Sequence, residues 1–230
     1  MATLERDWNP KFEALKKSSR NTKNYRETIG LTLELHSLVH FSDMSGYTGK
    51  TFYDEIWDGL SEEVFRYVPP KKGMSIAWYL WHLNRIEDLV SNILINDSKQ
   101  VFNKTWQKKL KTKFTDTGNA MDRTQVTAFS AEVGMQELYD YTNAVGRQTE
   151  KILKSLGPED LSRKPEQGSL DRLLPEGGLT EEEGSIWLRD FWGKKTVAGL
   201  MMLPLTRHHL MHIPQCLAIK KHVAERTPAD

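Results

Sequence analysis

Arg207-His208-His209-Leu210-Met211-His212-Ile213-Pro214-Gln215 is the stretch that decides how the rest of the chain is read. His208 and His212 are four apart, so on a helix their side chains lie one turn apart on a common face. Two imidazoles held that way can reach one metal ion, and neutral imidazole is the commonest protein ligand for divalent transition metals. Met211 and Gln215 share the face. The row Val197, Met201, Pro204, His208, Met211/His212, Gln215 and Ile219 is mostly apolar, which predicts that the pair faces the core. His209 lies about 100° further round the helix. A His209/His212 pair, three apart, competes for the same role.

Moving outward, Thr196 is the expected N-cap of this last helix, which is predicted to run to about Val223 with kinks at Pro204 and Pro214. Ser75 caps another predicted helix, Ile76-Ala77-Trp78-Tyr79-Leu80-Trp81-His82-Leu83 and on to about Ile95. Its first turns are apolar on every side except at His82, a pattern of full burial. From Lys23 to Phe41, Leu31, Leu35, Leu38 and Val39 form a core stripe, and His36/His40 make a second pair four apart. A further helix starts at Ser130, carries Leu138, Tyr141, Val145, Ile152 and Leu156, and stops at Gly157-Pro158. Residues 1–20, with Trp8, Phe12 and Leu15, read as a short amphipathic helix docked on the main body.

Two connections stand out. Residues 97–129, with five lysines between Lys104 and Lys113, are expected to be a solvated link. Residues 158–195, rich in Pro and Gly, form a long loop of the kind that is often functional. Leu60-Ser61-Glu62-Glu63-Val64-Phe65 with Pro69 matches Leu156-Gly157-Pro158-Glu159-Asp160-Leu161 with Pro165, each between one long helix and the next. No strand-like alternation persists. The pattern predicts an all-α fold, a four-helix bundle with long crossover connections and an N-terminal helical extension. The expected division is 1–22 for the extension, 23–224 for the bundle and 225–230 for a tail.

The composition is that of a soluble globular chain of 230 residues, 38% hydrophobic and 27% charged. With 32 Lys+Arg against 31 Asp+Glu, bulk charge favours neither nucleic acid nor an acidic membrane surface. The lone Cys216 excludes an intramolecular disulfide and is expected to be buried and inert. No charged-then-apolar leader and no membrane-length apolar run is present, so the expected location is the cytoplasm.

Ser75-Ile76 followed by Trp78-Tyr79-Leu80-Trp81-His82-Leu83 resembles the second helix of the DinB-like metal-binding four-helix bundles. Arg207-His208-x3-His212-x2-Gln215 resembles their last helix, and the Leu60 and Leu156 segments resemble their connections. The likeness spans roughly residues 23–222. It implies that His82, His208 and His212 hold a divalent metal, zinc or nickel first, iron or cobalt next, with positions left for water. It also implies metal-activated thiol chemistry of the S-transferase or isomerase kind, or hydrolysis, on a small-molecule substrate that includes a low-molecular-weight thiol, in a homodimer. Three imidazoles leave a bound cation positively charged, which acidifies water or a thiol. The other reading is a non-catalytic metal-binding or stress-related scaffold bundle, with a closed site. His36/His40 as further ligands or partners of the ligands are the lesser alternative, and Glu34, Glu87 and Asp88 are candidate acceptors for imidazole N–H groups, among which the sequence does not choose. The aromatic turn before His82, with Trp187 and Trp192, is expected to be packing.

Overall fold

Every residue from Ile76 to Asp88 is buried, Trp81 completely, in the computed structural model, which describes residues 2–71 and 73–225. That helix is the centre of the fold. The elements that position the site are α1 (Asn9–Ser18), α2 (Tyr25–Leu38), α3 (Ile76–Asp88), α4 (Met135–Ser155) and α5 (His208–Ala224). The α3 helix packs against α4 and α5, while α2 packs against α4 and against α1. All regular structure among the described residues is helical, and no helix is long and apolar enough to cross a membrane.

Local chemistry explains the ends. The Ser75 hydroxyl accepts the Trp78 amide across 2.9 Å, and Thr196 accepts Gly199 N–H across 3.2 Å. The two segments that repeat in sequence therefore lead into equivalent N-caps, one for α3 and one for Val197–Met202 ahead of α5. Phe65 and Leu161, matched in the repeat, are both buried. Beyond Asp88 the chain continues through a wider-wound segment, Leu89–Ile95, also fully buried. The N-terminal extension docks through Trp8 and Leu15, both buried. Burying such side chains contributes about 2 kcal/mol each. The half-exposed Lys11–Glu34 pair at 2.6 Å adds less than about 1 kcal/mol, so apolar contact holds the extension.

Three expectations are corrected. Residues 97–129 are no solvated link: Lys104–Leu110 and Arg123–Glu132 are helical, and Phe102, Leu110, Val126 and Phe129 join the core around Trp81. The lysines occupy only the outer face. Ser130 is no cap but lies inside Arg123–Glu132, its hydroxyl donating to the Val126 carbonyl at 2.6 Å. The chain breaks at Val133-Gly134, and α4 begins at Met135. Residues 158–195 are also more ordered than a loop. They contain the helices Gln167–Arg172 and Glu183–Gly193 and bury Leu161, Leu173, Leu188 and Trp192 in a second core on Leu89–Ile95. Of the expected tail, residues 226–230 lie outside the described residues.

Candidate metal centre

The approach to α5 sets the site. Pro204 cannot donate a backbone hydrogen bond, and Leu203–Arg207 winds in wide turns bonded five residues apart. The Thr206 hydroxyl donates to the carbonyls of Met201 at 3.0 Å and Met202 at 2.8 Å. A wide turn takes up an extra residue and rotates the helix beyond it. His209, and not His208, thus continues the buried row of Val197, Met201 and Leu205. The apolar stripe expected through His208, Met211 and Gln215 is corrected accordingly: Met211 is 51% exposed and Gln215 is also exposed.

His208 and His212, half-buried, face the almost fully buried His82 of α3. One ring nitrogen from each of the three lies within 4.8 Å of the others. His82 Nε2 and His208 Nε2 are 3.3 Å apart. The His82 ring is held on both sides. Its Nδ1 lies 2.9 Å from the Thr117 carbonyl oxygen, which can only accept, so Nδ1 carries the proton and Nε2 presents its lone pair. Trp78 stacks on the ring at 4.5 Å and 10°. Tyr79 packs beside His212 at 5.2 Å. Thr117 in turn is bonded to the second core, its amide donating to Gly178 O across 3.2 Å. Residues 158–195 thus support the site from behind.

Burial pushes His82 down to about 3, against the opposing effect of the Thr117 bond, with His212 and His209 lowering it further. Burial also holds His208 well below the ordinary imidazole range and lowers His212. All three are therefore neutral at pH 7, the form a metal requires. His208 Nδ1 and His212 Nδ1 have no hydrogen-bond partner among the described residues. Three neutral nitrogens converging from two rigid helices, with unsatisfied polar atoms behind them, are a donor set that fits a divalent transition metal.

The remaining candidates go elsewhere. His209 is turned away from the three, its Nε2 2.8 Å from Glu87 Oε2, so the His209/His212 alternative falls. His36 and His40 also meet Glu87. None of the acceptors expected from sequence serves the triad. Glu34 is at the surface with Lys11, and Asp88 bonds Arg85, Tyr141, Asn92 and the amides of Val101 and Phe102. The acceptor is the backbone of Thr117, which no side-chain pattern announces. Cys216 is fully buried and its thiol is pushed up by burial, consistent with an inert core residue. Trp192 is core, and Trp187 is half-exposed against Phe191.

Two surface cavities flank α5. One, of about 640 Å³, lies between α1 and α5 and includes Phe12, Arg207 and Met211. The other, of about 670 Å³, includes Met74, Tyr79, Gln215 and His222, and Tyr79 on its wall also packs against His212. Residues 52–213 match the family model described as the DinB superfamily. A search of curated proteins gives no match.

Proposed function

The chain belongs to the DinB superfamily, and on that premise we propose that it is a metal-dependent enzyme in which His82, His208 and His212 hold one divalent cation and a small-molecule thiol or water is activated. The observation that carries the proposal is the asymmetry of the three histidines. One is locked by Thr117 and Trp78 in the core, and two are half-open to solvent, with no fourth His, Cys, Asp or Glu in the group among the described residues. Such a set leaves coordination positions for exchangeable ligands. Zinc or nickel suits it best, with iron or cobalt next. A cation held there supplies Lewis acidity that brings a thiol or water toward its ionised form near neutral pH.

The protein's own part is orientation and exclusion. The Thr117 bond selects the His82 tautomer, burial keeps the three rings neutral, and the Tyr79 side of the 670 Å³ cavity offers an apolar approach for the substrate. We place the protein in the cytoplasm, as a homodimer, on the family resemblance and the composition.

A second reading, a non-catalytic metal-binding bundle, draws support from one fact: both large cavities are lined by residues beside the triad, and none of the three histidines lines either. The experiment is elemental analysis of untagged protein, wild type beside His208→Ala, followed by thiol-transfer and hydrolysis assays. Metal lost in the variant together with turnover supports the enzyme. Turnover surviving in metal-stripped protein overturns it, and metal binding without exchangeable water in the coordination shell favours the scaffold.

A further inference from the structure

Glu87 sits at the centre of a second cluster that the triad does not use. His36 reaches it from α2, His40 from the turn just after α2 and His209 from α5, and all four side chains have no solvent exposure. His36 Nε2 is 2.9 Å from Glu87 Oε1, while His40 Nε2 and His209 Nε2 are 3.0 and 2.8 Å from Oε2. The α4 helix closes over the cluster at Gly146, where a Cβ would stand 2.7 Å from the His40 ring.

The outer partners fix what His40 presents. Its Nδ1 lies 3.1 Å from the His36 carbonyl oxygen, an acceptor only, so Nδ1 carries the proton. A neutral His40 then aims a bare Nε2 lone pair at a carboxylate oxygen. In a site closed to water this contact is repulsive unless a positive charge lies between the two atoms. The bond angles agree. His40 Nε2, His209 Nε2 and Glu87 Oε2 make no hydrogen bond of acceptable geometry despite their short separations. The ligand atoms of His36, His40 and Glu87 all lie within 4.8 Å of one another, the spacing of ligands to one ion, while His209 stands outside that group against Glu87 Oε2.

We propose that Glu87, His36 and His40 form a second, fully buried site for a divalent transition metal. Two imidazoles and one carboxylate, all without solvent exposure, supply the protein ligands, a setting that suits a structural rather than a catalytic ion. The ion ties α2 and the turn after it to α3, and His209 of α5 backs the same carboxylate while its neighbour His208 faces the triad. The ion balances a buried carboxylate that otherwise needs a proton on His40.

The test uses full-length, untagged His208→Ala/His212→Ala protein, in which the triad is disabled and the Glu87 cluster is untouched. After reconstitution with zinc and dialysis, about one equivalent remains bound, against about two in wild type. X-ray absorption of the bound zinc shows two imidazoles and carboxylate oxygen, and chelation lowers the melting temperature. Adding Glu87→Gln to the same background removes the ion. A folded double variant that retains no zinc overturns the proposal and assigns the balancing charge to a proton on His40. Bound zinc lacking imidazole ligands overturns it as well, and this readout stands even where Glu87→Gln fails to fold. The triad is read separately, as the difference between wild type and the double variant.

Discussion

His82 Nδ1 and the carbonyl oxygen of Thr117 lie 2.9 Å apart, and that bond decides which nitrogen of His82 faces His208 and His212. The carbonyl is aimed by the next residue. Gly118 has φ +74°, and a Cβ there would stand 2.9 Å from Trp78 Nε1, the ring that stacks on His82. Gly118→Ala therefore strains the turn and pushes on the stack together. Stability should fall by about 1–2 kcal/mol, and zinc affinity at the triad by about 10–100-fold, the usual effect of losing a partner that orients a metal-bound histidine. Calorimetric zinc titration beside a thermal melt checks both. Unchanged affinity in a destabilised variant means that Thr117 does not orient His82.

His208 and His209 are neighbours with opposite duties, so their alanine variants should behave in opposite ways. His208→Ala removes a half-buried ring from the triad and costs metal with little loss of fold. His209→Ala keeps the triad metal but strips one of three imidazoles from the buried Glu87 and removes His209 Nδ1 from the Tyr53 hydroxyl, 2.7 Å away. Breaking one member of a buried charged group costs about 3–5 kcal/mol. Urea denaturation read against metal content separates the two, and loss of triad metal in His209→Ala contradicts the assignment.

Acid sensitivity arises from the same burial. His82 is held down to about 3 and His209 to about 4, against an unfolded value of 6.5, while His36, His208 and His212 are also lowered. As pH falls below 6.5 the unfolded chain takes up protons that the folded chain refuses. Stability is thus fully present above pH 6.5 and is lost progressively toward about 4 and 3. Each such group adds about 1.4 kcal/mol per pH unit to the slope. Denaturation of metal-free protein at a series of pH values should give a slope of more than one proton between pH 6 and 5. A flat profile there means that these histidines are open to protons in the folded state.

Much of the bundle was legible because its helices bury one face in a helical period: Leu138, Tyr141, Val145 and Ile152 on α4 are all buried where the period puts them. The triad was legible because His82, His208 and His212 stand in a recognisable pattern, and the structure brings them together. The departures have physical causes. The lysines of 104–113 mask Leu110 and Trp106, whose contacts face inward. The face of His208 differs from expectation because a straight 3.6-residue period does not anticipate the extra residue taken up at Leu203–Arg207. Glu87 could not be chosen over Glu34 and Asp88, since only the fold shows which carboxylate meets imidazoles. Thr117 serves through its backbone, which carries no side-chain signature.

The wide turn itself is testable at Thr206. Its hydroxyl donates to the carbonyls of Met201 and Met202, two acceptors on the approach to Pro204, and the residue is fully buried. Thr206→Val keeps the shape and removes the donor, so the turn loses the hydroxyl's bonds without creating a cavity. A buried acceptor left without its donor costs about 1–3 kcal/mol. The more specific consequence is angular. If the turn relaxes toward ordinary helical winding, α5 rotates, His209 leaves Glu87 and His208 swings off the line to His82 Nε2. Stability and zinc affinity should then fall together in Thr206→Val. In His208→Ala, by contrast, affinity falls alone. A Thr206→Val protein that is destabilised yet binds zinc as wild type means that packing of Leu205 and Ile213, and not the turn, sets the rotation of α5.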